Sequence, residues 1–197
     1  MSDKAGAWNR LALLLPPADA HEVQVCWDIG EQEAGLDLLI GALLKHQVAL
    51  GETDRAEISV MTETWGIRES VASRLLDCPG DGLPAALELV EGPDTAPLSS
   101  PSLIDTQLAA FLVIPWIRCT ASGRLLIRAH TEEPWGDLSY LPEHYAVLAS
   151  EQGPSLQLFD SFGAWEALQE LVRRPAPDGG RTPRNEERVA IWGVTSP

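Results

Sequence analysis

His144 opens the run "HYAVL" and Asp160 closes the run "LQLFD", sixteen positions further on, with Gly153-Pro154 between the two runs. An imidazole and a carboxylate are two members of a nucleophilic triad. The imidazole takes the proton of a thiol or hydroxyl, and the carboxylate holds it in the right tautomer. If both runs are strands joined by a tight turn, the start of one falls beside the end of the next, and His144 and Asp160 touch. The competing reading is a plain hairpin with polar ends. Either way a nucleophile has to come from elsewhere in the chain.

The thiols are Cys26, Cys78 and Cys119. An odd count without CxxC spacing points to neither a disulfide framework nor a zinc site, so no cofactor and no metal are expected. Reduced thiols make a cytoplasmic address the expectation. Cys78 lies between Asp77 and Asp81, whose charges oppose a thiolate, and Cys119 sits in an apolar run that reads as core. Cys26, in "VQVCWDIG", reads either as an alternative nucleophile or as a buried thiol. His130 ends the run "RLLIRAH" as an edge histidine, and His21 and His46 read as surface residues. The common nucleotide, zincin and serine-hydrolase motifs are absent.

The elements that would carry these groups divide the chain. "HEVQVCW" (21–27) alternates like a short strand, and "AEISVM" (56–61) reads as strand or extended. Between them, Leu36, Leu39, Ile40, Leu43, Leu44 and Val48 recur at helical spacing in a segment with Glu31, Glu33 and Asp37 near its start and Lys45 near its end. "IRESVASRLL" and "LPAALELV" read as short helices. A Pro- and Ser-rich break at 91–102 precedes a capping-box-like start, Ser102 with Asp105, for "LIDTQLAAF". Beyond it come five β-rich runs: "FLVIPWIRC", "RLLIRAH", "YAVLAS", "LQLF" and "RVAIWGV". One helix, "AWEALQELVRR", follows Gly163, and residues 174–187 read as a loop. The pattern predicts an α+β chain, mostly helical before 92 and antiparallel β after 103.

Lys and Arg number 14 against 29 Asp and Glu, a formal charge of −15 in 197 residues. That balance disfavours nucleic acid and membrane surfaces and favours a basic protein or peptide partner. "LALLL" is too short before Pro16-Pro17 for a signal-peptide core, and no window has the length of a membrane span. The seven Trp are spread along the chain, which suits core packing better than a stacking platform.

The stretch "HYAVL…LQLFDS" resembles the His/Asp half of papain-like cysteine peptidases, in particular their bacteriocin-processing, C39-like branch. The resemblance extends in layout over residues 22–165. It implies a single papain-like domain of two lobes, a helical one at 1–92 and an antiparallel β one at 103–197. His144 would be the base and Asp160 its orienter. The nucleophile would begin the first long helix, at Ala34 of "EQEAGLDLLIGALL", where that family has Cys-Gly. Gln24 would be the oxyanion donor, with Gln32 as another choice. Because residue 34 is Ala, three accounts stand: an inactivated peptidase, a natural pseudoenzyme, or Cys26 as nucleophile. The resemblance implies a thiol-dependent amide hydrolase or transferase, inactive with Ala34. The alternative is a non-catalytic acidic binding protein, an immunity or adaptor type, that takes a basic protein partner.

Overall fold

Asp3 starts the first helix by accepting the Gly6 N–H at 2.7 Å. From there the chain runs α1 (Lys4–Ala12), α2 (Pro17–Asp28), α3 (Gln32–Lys45), α4 (Glu52–Thr64) and α5 (Arg68–Leu76). It continues as β1 (Leu87–Leu89), β2 (Leu112–Cys119), β3 (Leu125–His130), β4 (His144–Leu148), β5 (Leu156–Asp160) and α6 (Ala164–Val172). The computed structural model describes residues 3–90, 95, 97–98, 108–148 and 156–173. Within them the fold is α+β, with an antiparallel sheet in the order β1-β2-β3-β4-β5. Residues 102–107 of the expected "LIDTQLAAF" helix, the expected loop at 174–187 and the "RVAIWGV" run lie outside the described residues.

Three expected elements change type. "HEVQVCW" is helical, inside α2, where Pro17 occupies the first turn and pre-sets its backbone angle. Its alternation is incidental: Val23 is buried while Val25 is 38% exposed. "AEISVM" is also helical, inside α4. Every residue of α4 from Arg55 to Glu63 is buried, so the helix has no solvated stripe and shows no amphipathic period. "LPAALELV" gives β1 instead of a helix, because pairing of Leu87, Glu88 and Leu89 with Cys119, Arg118 and Ile117 overrides a weak helical propensity.

α3 keeps its predicted stripe: Leu36, Leu39, Ile40 and Leu43 are all at most 1% exposed. Gly35 is required where it stands, since a Cβ there would lie 2.6 Å from the Trp8 ring and 2.8 Å from Cβ of Cys26. Its absence lets α3 close onto α1 and α2. Trp8, Trp27 and Trp65 meet with ring centroids 5.0, 5.9 and 6.3 Å apart, joining α1, α2 and the end of α4. These tryptophans are packing residues.

The sheet is covered on both faces, which explains its near-continuous apolar strands. Trp116, Leu126, Tyr145 and Val147 belong to the core shared with the helices. Val113, Ile127, Ala129, Ala146 and Leu148 form a second core with Leu108 on the opposite face. Pro115, which has no N–H to give a ladder, sits where the β2–β3 register shifts. No helix among the described residues is long and apolar enough to cross a membrane.

Candidate functional site

His144 and Asp160 are Cα partners at the end of the β4–β5 ladder. Strand alternation fixes where they point. Tyr145 faces the helices, its hydroxyl donating to Glu63 of α4 at 3.2 Å. His144 therefore faces the other way, where its ring meets Phe111 edge-on at 5.3 Å. Cross-strand partners share a face, so Asp160 lies on that side too. Its Oδ1 accepts the Phe162 N–H at 3.0 Å, tying the carboxylate into the turn that leads to α6. Nδ1 of His144 is buried and has no hydrogen-bond partner among the described residues.

The remaining candidates stand elsewhere. Ala34 is an exposed residue in the first turn of α3, a helix that packs on α2, α5 and α4. Cys26 and Gln24 are half-buried on α2, and Gln32 donates to the Trp27 carbonyl at 3.4 Å. Cys78 is buried after α5, which pushes its thiol above the ordinary range, and its Sγ lies 3.5 Å from the Arg74 carbonyl oxygen. Cys119 pairs with Leu87 at the far end of β2. It is six residues along from Val113, roughly 20 Å at strand rise. The structure thus brings His144 and Asp160 side by side and leaves Ala34, Cys26 and Gln24 in the helical layer, across the sheet from them.

A cluster of buried polar groups lies on the helix-facing side, between α4, the start of α5 and the β2–β3 face. Glu63 accepts from Tyr145 and lies 3.5 Å from Nη1 of Arg128 and 3.7 Å from Nε of Arg68. Arg128, 2% exposed, stacks over the Trp116 ring at 5.4 Å, and the Trp116 indole donates to Ser59 Oγ at 3.0 Å. Burial, reinforced by the adjacent Glu63 charge, raises the Tyr145 phenol well above its ordinary range, so it remains a donor. A cavity of about 650 Å³ opens beside this network.

His130 lines that cavity and is 2% exposed. Its Nδ1 lies 2.8 Å from the Ser139 carbonyl oxygen, an acceptor, so Nδ1 carries the proton and Nε2 a lone pair. Burial first, then the Arg128 charge, pushes this imidazole down to about 4, so the ring is neutral. Ser139 Oγ is 3.4 Å from the same Nδ1, but its hydroxyl donates to the Leu141 carbonyl at 2.8 Å. The pair therefore lacks the base-to-hydroxyl direction that activates a serine.

The rim of the cavity is the segment 131–141, a closed turn rather than a loose loop. Glu133 N–H donates to Asp137 O, Gly136 N–H to Glu133 O and Ser139 N–H to Thr131 O, each at 2.8 Å. Tyr140 reaches across to the Gly66 carbonyl at 2.6 Å. At the tip stands Trp135, 71% exposed, with Tyr140 63% and Leu141 47% exposed nearby. Glu132 and Asp137 are exposed on the same segment, and Glu143 is exposed just beyond it.

No family model, no curated protein and no solved structure matches this chain. Among the described residues no group of three His, Cys, Asp or Glu could hold a metal ion. Two features of the site escaped sequence reasoning, the Glu63–Arg68–Arg128 network and the buried state of His130. One signal for them was present: Arg128 interrupts an apolar strand between Ile127 and Ala129, where an unpaired charge would be prohibitive.

Proposed function

We propose that this chain is a non-catalytic acidic binding protein that takes a basic protein or peptide partner on the 131–141 turn. The observation that carries this reading is Trp135, a large apolar side chain held out into solvent by a hydrogen-bonded turn. Tryptophan is enriched among the residues that anchor protein interfaces, and a turn already closed loses little entropy on binding. The exposed carboxylates of Glu132 and Asp137 on the same turn, and the −15 charge of the chain, favour lysine- and arginine-rich partners and speed their encounter. The test is selection of displayed peptides rich in Lys and Arg against the unsubstituted protein, followed by affinity measurement on Trp135→Ala. Selected peptides should lose binding to that variant and weaken steeply with salt.

A second reading, a papain-like thiol hydrolase or its inactive descendant, is favoured by one observation, the pairing of His144 with Asp160. It requires a thiol to reach the Phe111 side of the sheet. A cysteine introduced at Ala34 tests it directly.

A further inference from the structure

We infer that the outer edge of β5 is a docking edge for an extended basic peptide, which adds to the sheet as a further strand with Phe162 as its anchor. The inference goes beyond the 131–141 turn and rests on different residues. Among the described residues β5 pairs with β4 alone. α6 packs across β2, β3, β4 and β5, so it covers the helix-facing side of the sheet rather than its margin. An edge strand presents a row of N–H and C=O groups ready to pair, and proteins blunt such edges by shortness, Pro, Lys or other charges. The opposite margin follows that rule: β1 has three residues, and its Glu88 accepts from Arg118 at 3.2 Å. β5, "LQLFD", carries no Pro and no charge before Asp160 at its end.

Leu156 and Leu158 share the face of Asp160, because side chains alternate along a strand. Leu156 packs on the second core, whereas Leu158 is 36% exposed and would be covered by an apolar side chain of an incoming strand. Just past the strand stands Phe162, 86% exposed. Its backbone is fixed by a turn in which the Phe162 N–H donates to Asp160 Oδ1 and the Gly163 N–H to Asp160 O, both at 3.0 Å. An aromatic ring held in solvent on ordered backbone anchors a partner at small entropic cost. Charge selects the kind of peptide. Asp160 and Glu166 are exposed, Glu143 is exposed one residue before the Asp160 partner His144, and residues 156–172 contain no Lys or Arg. A peptide bearing Lys or Arg complements this edge, whereas a second copy of the chain brings the same carboxylates and a charge of −15. In strand addition the main chain supplies the affinity and alternate side chains the selectivity.

The probe is a capped peptide of about eight residues that alternates valine with lysine, a length that matches one strand. Its control is the same peptide N-methylated at every inner residue, which keeps side chains and charge and removes the N–H donors. Both would be titrated into the ¹⁵N-labelled full chain. The unmethylated peptide should shift the amides of Leu156–Asp160 and Phe162, and the control should bind at least ~10-fold more weakly. Phe162→Ala should weaken the unmethylated peptide by ~10-fold, while Trp135→Ala leaves its affinity unchanged, which separates this edge from the 131–141 turn. Equal binding of both peptides, no binding at about 1 mM, or shifts confined to the 131–141 turn overturns the inference. So does a dimer of the free chain, seen by sedimentation and lost in Phe162→Ala, since a second copy would then occupy the edge.

Discussion

Asp160 lies directly across the β4–β5 ladder from His144, yet its carboxylate accepts the backbone N–H of Phe162 at 3.0 Å. The aspartate holds the turn into α6, and the histidine packs against Phe111 on the sheet face turned away from the helices. His144 thus faces away from the helical layer that holds Ala34, Cys26 and Gln24.

Reactivity at position 34 follows from that. In Ala34→Cys the new thiol sits exposed in the first turn of α3 and should be alkylated faster than buried Cys78 and Cys119. Its rate should be the same in the His144→Ala background, measured by iodoacetamide labelling and mass spectrometry. A marked fall with His144→Ala would favour the thiol-hydrolase reading instead.

Glu63 is the hub of the buried ion network, 5% exposed, and receives Tyr145 and two arginines. Glu63→Ala removes the shared acceptor and leaves cations in the interior. The loss in unfolding free energy should be about 3 kcal/mol or more. Urea denaturation checks it, and a loss no larger than that of an ordinary surface substitution would show the network to be idle.

His130 makes stability depend on acidity. Its ordinary value of 6.5 falls to about 4 in the fold. Between those values the unfolded chain binds more protons than the folded one, so stability declines as pH drops through that window. Beside burial, the groups acting on it are Arg128 and Arg68, which oppose protonation, and the Ser139 carbonyl, which favours it. The full loss is roughly 3 kcal/mol. Carboxylates contribute their own acid sensitivity, so the measurement is the difference between the unsubstituted chain and His130→Gln from pH 7 to pH 4. Parallel curves would contradict the assignment.

Gly35→Ala places a methyl group 2.6 Å from a fully buried indole. The Trp8 ring is held from behind, packed on Trp27 and Trp65 and donating its indole N–H to the Val23 carbonyl at 3.2 Å. The cost should be about 1–3 kcal/mol, read as a lower thermal midpoint. An unchanged midpoint would show that the three-helix contact is looser than described.

The sheet was the most legible part of the chain. Short apolar runs separated by Gly, Pro and Ser mark β2 to β5, and the spacing of His144 and Asp160 suggested their pairing. The helical half misled where burial removed the usual signal. α4 is surrounded by protein, so Ile58 and Val60 read as strand residues, and in α2 an accidental alternation did the same. The site was harder. The Ala34-Gly35 pair suggested a nucleophile helix, whereas Gly35 answers to the Trp8 contact. Glu63, Arg68 and Arg128 are far apart in sequence, and only the tertiary fold gathers them. Trp135 was one of seven tryptophans until its exposure set it apart.

The most direct test of the binding role is the affinity of selected Lys- and Arg-rich peptides for Trp135→Ala. This substitution should leave stability within about 0.5 kcal/mol, because the side chain is largely in solvent. The expected result is roughly 30-fold weaker binding at constant salt, with Asp137→Asn weakening it further through association rate. Equal affinity for the substituted and unsubstituted proteins would contradict the assignment of this turn as the partner surface.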